Sequence, residues 1–292
     1  MTLYLGCPIW SYKGWVGSFY PEGTKQSDFL REYARRLNTV EGNTTFYAVP
    51  SAETLQRWAE EMPESFRFCP KLPRAISHTG KLQDHLAAAE QFVQVMIQLG
   101  PRLGPMFLQL PPRYAPTRLD DLRTFLEAWP EQISLAVEVR HADWFEAPQR
   151  EDLNALLSEL NKARVVIDTR PIRSLSGDKI LAGSVYERML QARERKPDLP
   201  IPIKREVGFT FLRYIGHPLM DQNTTFIQDW ADHLASSLAE GKDAYVFCHC
   251  PDERLDPWLC REFHQHVNTI VPIPSLPWDE TDANIARQPR LL

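Results

Sequence analysis

The stretch Ser134-Leu135-Ala136-Val137-Glu138-Val139-Arg140 has the composition of a buried strand that ends in charged residues. Strands of a parallel sheet covered by helices are buried on both faces and consist almost entirely of apolar residues. Side-chain alternation turns Glu138 and Arg140 to one face of this strand and Leu135 and Val137 to the other. Ionisable groups on a buried face need an explanation, and a functional site at the strand end is one.

Seven other apolar runs of this kind occur along the chain, and amphipathic segments separate them. The eight predicted strands are Leu3–Gly6, Thr39–Asn43, Phe66–Lys71, Met106–Leu110, Leu135–Val139, Val165–Asp168, Thr210–Tyr214 and Ala244–His249. Apolar residues recur at helical spacing between them, for example in Leu86–Leu99, which Gly100 would end, and in Thr225–Ala239. Eight strand–helix alternations predict an α/β protein with a single (β/α)₈ barrel of the TIM type, although an open doubly wound sheet shares many of these signals.

The length of 292 residues suits one barrel domain over the whole chain, with the proline-rich and polar residues 272–292 as a C-terminal surface tail. No apolar run reaches the roughly 18 residues of a membrane span, and the first residues lack the features of a signal peptide. Five cysteines, an odd number, are typical of reduced thiols in a cytoplasmic protein. The net charge of −5 argues against nonspecific binding of nucleic acid or anionic membranes, so the expected partner is a small-molecule substrate.

Polar side chains occupy axis-facing positions late in other predicted strands as well. With the alternation extended to those strands, the inward set also contains Glu41, Asn43, Lys71, Gln109, Asp168, Arg213 and His249. Barrel enzymes assemble their active sites from several strands at this end. We therefore expect these residues to line one cavity at the carboxyl ends of the strands.

The acidic and basic members of this set suit proton-transfer chemistry. Glu41 and Glu138 could divide the roles of general acid and general base if their surroundings separate their pKa values. Lys71 and Asp168 complete the set of predicted catalytic residues.

Two other uses and one purely structural role are open for the same residues. Binding of a divalent metal ion is one of these uses, although the chain has no recognisable metal-binding motif. The candidate ligands are Glu41, Glu138, Asp168 and His249. Alternatively, Lys71, Arg140 and Arg213 clamp an anionic substrate. A structural ion-pair network is the third possibility, but buried ion pairs give little net stability.

Aromatic residues and histidines in the loops after the strands are candidate substrate contacts. Trp10 and Tyr47 lie in the segments after the first two strands, where their rings could stack on a sugar or a base. His78 follows the third strand, and His141 and Trp144 follow the fifth. We expect these five side chains to contribute to substrate binding.

Several motifs in the same order resemble the YecE-like family, also called domain of unknown function 72. They are Gly6-Cys7-Pro8-Ile9-Trp10, Thr39-Val40-Glu41-Gly42-Asn43-Thr44-Thr45-Phe46-Tyr47, Phe66-Arg67-Phe68-Cys69-Pro70-Lys71, Leu108-Gln109-Leu110-Pro111-Pro112 and Val137-Glu138-Val139-Arg140-His141. The resemblance implies a TIM-type barrel without an established reaction. The positions that match the family pattern are Glu41, Asn43, Tyr47, Lys71, His78, Gln109, Glu138, Arg140, His141 and Arg213.

The chain departs from the family pattern after its last two strands. Arg213-Tyr214-Ile215-Gly216 stands where Arg-x-His-Gly is usual, and Cys248-His249-Cys250-Pro251 replaces an end rich in asparagine. The leading hypothesis is an enzyme that acts on a small anionic or sugar-like substrate, with hydrolysis as the first expectation and isomerisation as the second. The alternatives are a ligand-binding barrel without catalysis and a metal-dependent enzyme like the sugar isomerases and apurinic endonucleases, whose architecture is similar.

Overall fold

The computed structural model describes residues 1–174, 183–202 and 207–279 of the chain. These residues contain eight strands, and all of them pair in parallel. The ends of each strand lie within two residues of the ends predicted from the sequence. The strands are β1 (Leu3–Gly6), β2 (Thr39–Gly42), β3 (Arg67–Pro70), β4 (Met106–Gln109), β5 (Leu135–Glu138), β6 (Ala163–Asp168), β7 (Phe209–Ile215) and β8 (Asp243–His249). Six of them form one sheet in the order β1-β8-β7-β6-β5-β4, and β2 and β3 form a second sheet. The fold is therefore mixed α/β with a mostly parallel arrangement of strands.

Backbone hydrogen bonds connect the two sheets. The amide of Glu41 in β2 donates to the carbonyl of Cys7, directly after β1, over 3.1 Å. The amide of Leu72, just after β3, donates to the carbonyl of Phe107 in β4 over 3.0 Å. The side chain of Asn38 adds two bonds to β1, since its Oδ1 accepts from the Leu5 amide and its Nδ2 donates to the Leu3 carbonyl.

Helices follow the strands along the chain and cover them. They are α1 (Phe29–Ala34), α2 (Thr44–Tyr47), α3 (Ala52–Glu61), α4 (Arg74–Ser77), α5 (Leu86–Met96), α6 (Leu119–Glu127), α7 (Gln149–Glu159), α8 (Arg170–Arg173), α9 (Gly183–Arg195), α10 (Thr224–Ala239) and α11 (Asp256–Ile270). The α-helical part of α5 ends before the predicted Leu99, and a 3₁₀ segment continues to Arg102. Gly100 adopts a φ of 58° within that segment, a conformation that glycine accepts without a steric cost.

Most of the apolar core of the described residues lies in two clusters, and a third, small one consists of Ile167, Ile172 and Ile215. The larger part lies between the strands and the helices and includes Leu5, Val40, Phe68, Leu108 and Val137. The smaller part, called here the inner apolar layer, lies on the opposite faces of the strands. It consists of Tyr4, Cys69, Phe107, Ala136, Ala163, Val165, Phe211, Tyr245 and Phe247. The polar side chains described below extend from these same faces, closer to the carboxyl ends of the strands.

The predicted C-terminal tail is described only up to Asp279, and residues 280–292 lie outside the described part. In the described portion, the amide of Trp278 donates to the carbonyl of Arg36 over 3.0 Å. Its ring is buried with its centroid 5.0 Å from that of Phe19. Among the helices that the structure describes, none is long and apolar enough to cross a membrane.

Candidate functional site

Seven polar side chains meet at the carboxyl ends of the strands, and we call them the carboxyl-end cluster. They are Glu41, Lys71, Gln109, Glu138, Arg140, Arg213 and His249. Each belongs to the end of a strand or to the residues directly after it. Because all the strands run parallel, their carboxyl ends lie together, and these seven side chains are close to one another there.

Arg213 of β7 lies at the centre of the cluster. Its Nε and Nη2 donate to the two carboxylate oxygens of Glu41 over 2.8 and 2.7 Å. Its Nη1 donates to Oε2 of Glu138 over 2.7 Å. Oε1 of Glu138 accepts a second bond, from Nε of Arg140, over 2.5 Å. The planar guanidinium therefore holds two carboxylates from different strands in fixed positions.

These ion pairs keep both carboxylates ionised. Burial alone raises the pKa of Glu41, but Arg213 and His249 outweigh burial and hold this pKa well below its usual range. Burial also opposes ionisation of Glu138, yet Arg140, Arg213 and Lys71 lower its pKa to about 2. Neither residue is exposed to solvent. The expectation that one of them acts as a general acid is therefore not supported by this geometry, since both remain deprotonated near neutral pH.

Lys71 is the member of the cluster whose charge is adjustable. Its Nζ donates to Oε1 of Gln109 over 3.0 Å, and the same oxygen accepts from Arg140 and Arg213 over 2.9 and 3.4 Å. Burial, and next the charge of Arg213, lower the pKa of Lys71 to about 7. Burial is the larger cause, and charge balance adds to it because two guanidinium groups already neutralise two carboxylates. A protonated Lys71 adds a positive charge that no further anion in the cluster compensates.

The segment after β2 adds neighbours to the cluster. Nδ2 of Asn43 donates to Oε1 of Glu41 over 2.6 Å, as its predicted inward position requires. Nζ of Lys71 lies 4.1 Å from the ring centroid of Phe46, a cation–π geometry. The ring of His78 is 5.1 Å from that of Phe46, and burial followed by the charges of Lys71 and Arg140 lowers its pKa to about 4. Tyr47 is 81% exposed and its ring packs on Phe46.

His249 of β8 connects the cluster to a cavity of about 370 Å³. Its Nε2 lies 3.1 Å from Oε2 of Glu41, and its ring also lines the cavity. Burial lowers the pKa of His249 to about 4, against the opposing effect of Glu41. The neutral ring therefore donates to ionised Glu41 from Nε2, and its Nδ1 is an acceptor. A cavity of about 520 Å³ lies at the amino ends of the strands, among Leu103, Ser134 and Tyr245, and is remote from the cluster.

Asp168 is not part of the cluster, which corrects the sequence-based assignment. It is the register partner of Tyr214, whose ring belongs to the core between strands and helices. Its carboxylate accepts from the indole of Trp230 in α10 over 2.7 Å and from Nη2 of Arg170 over 2.7 Å. The residues Val165 to Asp168 contain apolar side chains on both faces, so their composition did not show which face points inward. Since Val165 belongs to the inner apolar layer, Asp168 faces the helices.

Three predicted substrate contacts also lie elsewhere. Trp144 is fully buried between strands and helices, where its indole donates to the carbonyl of Tyr114 over 2.7 Å. The ring of Trp10 is partly buried and packs edge-on against Trp58 at the edge of the same part of the core, with the ring centroids 5.5 Å apart. His141 is half-buried, and its Nδ1 accepts from a backbone amide in the short helix that follows it. The two tryptophans therefore stabilise the fold, and His141 caps a turn.

The donor arrangement does not fit the metal site considered from the sequence. Asp168 points to the other side of its strand, and Arg213 lies between Glu41 and Glu138, where a cation would have to bind. Within the described ranges, no group of three or more histidine, cysteine, aspartate or glutamate side chains is arranged to hold a metal ion.

Two residues close to the cluster were not selected from the sequence. Phe46 was one of many aromatic residues in the first fifty positions, and no pattern distinguished it from the others. Lys196 follows α9, and the charges of Arg213 and Glu41 act on it. Burial, and next Arg213, lower its pKa to about 8. A lysine at a helix end is common in any protein, so its position near the cluster is visible only in the folded chain.

Comparison with known proteins places this chain in a family. The family model described as "Protein of unknown function DUF72" matches residues 4–281. The UPF0759 protein YecE of Escherichia coli K12 is 33% identical over 280 residues, which cover 94% of this chain and 97% of that protein. The UPF0759 protein YunF of Bacillus subtilis is 25% identical over 262 residues, covering 84% of this chain and 87% of that one.

Solved structures agree at the level of the fold. A DUF72 family protein from Enterococcus faecalis has a TM-score of 0.68 at 16% identity, covering 91% of this chain and 96% of that chain. A DUF72 family protein from Thermotoga maritima has a TM-score of 0.64 at 20% identity, covering 92% and 99%. The resemblance seen in the sequence motifs is confirmed, and the chain belongs to the DUF72 family.

Proposed function

We propose that the eight strands close into a (β/α)₈ barrel with the carboxyl-end cluster at its mouth. The hydrogen bonds that connect β1 with β2 and β3 with β4 support this closure. So does the contact of Arg213 in β7 with both Glu41 in β2 and Glu138 in β5, because three strands distant in the sheet order then share one interior.

We infer that the protein is an enzyme that acts on a small anionic or sugar-like substrate and that Lys71 carries the proton in its reaction. The observation that carries this proposal is the position of the Lys71 amine beside two guanidinium groups whose charges Glu41 and Glu138 already balance. A buried amine of this kind is neutral for part of the time near pH 7 and acts as a general base.

The two reaction classes considered from the sequence both need such a group. In hydrolysis, the neutral amine takes a proton from the attacking water and returns it to the leaving group. In isomerisation of a hydroxy-carbonyl sugar, the amine takes the proton from the carbon that bears the hydroxyl group and returns it to the former carbonyl carbon, while the hydroxyl proton passes to the carbonyl oxygen. The ionised Glu41 and Glu138 then fix Arg213 and Arg140, which hold an anionic or oxygen-rich substrate next to Lys71.

A direct test is the titration of Lys71 by NMR in the full-length protein labelled with ¹³Cε-lysine. The Lys71→Met variant assigns the signal, and the exposed Lys25 serves as the internal comparison. A midpoint near pH 7 supports the proposal, whereas a midpoint of 10 or above contradicts it.

Turnover of candidate sugar phosphates and sugar acids, followed by ¹H NMR, separates an enzyme from a binding module. Lys71→Met should fold and bind a substrate but lose at least about 100-fold in turnover. Lys71→Arg keeps a permanent charge that cannot exchange a proton, and should be equally inactive. Full activity in either variant would show that Lys71 does not carry the proton.

A further inference from the structure

The cavity of about 370 Å³ beside His249 has a lining of its own that the carboxyl-end cluster does not use. Its walls come from the loop after β1, from α9, from the end of β8 and from the start of α11. The residues that matter for its chemistry are Tyr12, Arg188, Gln191, Arg195, Lys196 and Asp256. The volume lies within the range of pockets that bind small molecules.

Asp256 is the unusual group in this cavity. It has no exposed surface, and neither of its carboxylate oxygens forms a hydrogen bond of standard geometry in the described part of the chain. The other buried carboxylates nearby are fully engaged, since Asp168 binds Arg170 and Trp230 while Asp252 binds Arg254. A buried polar side chain without a partner costs stability, and such groups in proteins usually have a function.

The surroundings favour the neutral form of this group. Burial raises the pKa of Asp256 well above its usual range, and the charges of Cys260 and Glu253 raise it further. The backbone of Cys250 and the charge of Lys196 oppose this shift but do not reverse it. These surroundings favour the protonated form of Asp256, which has one hydroxyl donor and one carbonyl acceptor.

The rest of the lining contains three cations against one further carboxylate, Glu253, and groups that suit hydroxyls. Arg188 and Arg195 project from α9, and Lys196 follows it. Gln191 and the hydroxyl of Tyr12 each offer both a donor and an acceptor, as a sugar hydroxyl does.

We propose that this cavity binds an anionic sugar, whose hydroxyl groups contact Asp256 and whose phosphate or carboxylate group contacts the cations of α9 and Lys196. The inference rests on the proposed function in one respect, because the cavity meets the carboxyl-end cluster at His249 and the bound sugar is taken to be the substrate. The sugar supplies the hydrogen bonds that Asp256 lacks in the free protein.

Isothermal titration calorimetry of the full-length protein tests this with four probes, namely ribose 5-phosphate, gluconate, ribose and inorganic phosphate. Ribose 5-phosphate or gluconate should bind at least about tenfold more tightly than ribose and inorganic phosphate. The anionic probe with the higher affinity shows whether the cavity prefers a phosphate or a carboxylate group. If none of the four binds, or if all bind equally, the proposal is wrong.

Two substitutions at Asp256 separate a ligand contact from a structural carboxyl group. Asp256→Asn keeps a donor and an acceptor and should bind the anionic probe within roughly threefold of the original protein. Asp256→Leu has a similar shape but no polar atom, and should lose about tenfold or more in affinity. Its melting temperature should rise by about 2 °C or more, because an unpaired buried carboxyl is removed. Unchanged affinity or a lower melting temperature in the leucine variant would overturn the proposal.

A charge substitution on α9 provides the matched control. Arg195→Gln should lower the affinity for ribose 5-phosphate and leave the affinity for ribose unchanged. Arg150→Gln, which removes a cation at the start of α7, should change neither affinity. Equal effects of the two variants would contradict the assigned position of the anionic group.

The failure of this inference is distinguishable from the failure of the proposed function. If Lys71 titrates near pH 7 but the anionic sugars do not depend on Asp256, the inference fails and the role of Lys71 stands. If Lys71 titrates like an ordinary lysine while the sugars bind through Asp256, the cavity stands as a binding site and the catalytic proposal fails.

Discussion

The inward faces of the strands carry two layers of opposite character. On β7, Phe211 belongs to the inner apolar layer and Arg213, two residues later, is the centre of the carboxyl-end cluster. On β8, Phe247 and His249 differ in the same way. Aromatic side chains stabilise the first layer simply by leaving water, whereas the charges of the second must each find a partner to offset their desolvation.

This difference indicates that the charges of the carboxyl-end cluster are not explained by a contribution to the folding free energy. Apolar residues of similar size could replace the paired charges with little loss of folding free energy. The cluster instead positions Lys71 and Gln109 in a fixed electric field at the end where several loops meet. The predictions below test whether the two layers differ as this interpretation requires.

The largest effect is expected for Arg213→Met. It leaves the buried Glu41 and Glu138 without their shared cation, which should lower the free energy of unfolding by about 3–5 kcal/mol. Phe211→Leu in the inner apolar layer should lower it by less than about 2 kcal/mol. Urea denaturation followed by circular dichroism measures both. A smaller loss for the arginine variant than for the phenylalanine variant would remove the distinction between the layers.

The next effect is the pH dependence of stability that Lys71 produces. Its pKa is about 7 in the folded protein and rises on unfolding, so the unfolded chain binds the extra proton between about pH 7 and pH 10. Stability should therefore increase with pH in this window, by a few kcal/mol at most. Urea denaturation of the original protein and of Lys71→Met gives the difference. If the free energy of unfolding depends on pH in the same way in both proteins, Lys71 is an ordinary lysine.

A smaller effect separates Glu138 from Asp168, two buried carboxylates on neighbouring strands. Glu138→Gln removes an anion that supports the charge of Lys71, so the pKa of Lys71 should fall by about one unit. Asp168→Asn should destabilise the contact with Trp230 and Arg170 and leave the Lys71 titration unchanged. The ¹³C titration of Lys71 in both variants is the measurement. An equal shift in both would place Asp168 in the cluster after all.

The smallest effect concerns Tyr47, which extends from the segment after β2 into solvent. Tyr47→Ser should change the free energy of unfolding by no more than about 0.5 kcal/mol, because the side chain is 81% exposed. If the ring is a substrate contact, the affinity for the anionic sugar should fall while stability stays the same. Melting curves and calorimetry on one preparation give both values. A clear loss of stability would assign the ring to the fold.

Local composition was enough to locate the strands and most of the cluster. The runs around Val137 and Val246 are apolar on both faces, and each ends in a polar residue, so both the strand and its carboxyl end are readable from composition. In β5 the alternation also gave the correct face, because Glu138 and Arg140 share one side. For β6, composition did not show which side chains face inward, since Val165, Val166 and Ile167 place apolar residues on both faces of the strand.

The orientation of loop and helix residues was the part that composition could not supply. Trp10 and Trp144 follow strands as a substrate contact would, yet Trp144 is fully buried and Trp10 packs partly buried against the core, because large apolar rings gain by leaving water. Asp256 precedes Pro257 at a helix start, a place where aspartate is common as a cap. Nothing local indicates that its carboxyl group is buried and unpaired.

From the sequence alone, periodicity and composition determined the α/β class, the eight strands and the charged residues late in the strands, and the order of the motifs indicated the family. The tertiary structure alone decided which of those charges meet, that Arg213 keeps Glu41 and Glu138 ionised, and that Lys71 and Asp256 are left with shifted pKa values. The physical reason is that the location of a strand and the residue type at its end are local properties of the chain, whereas the pKa of a side chain and its partners depend on groups brought close by distant segments.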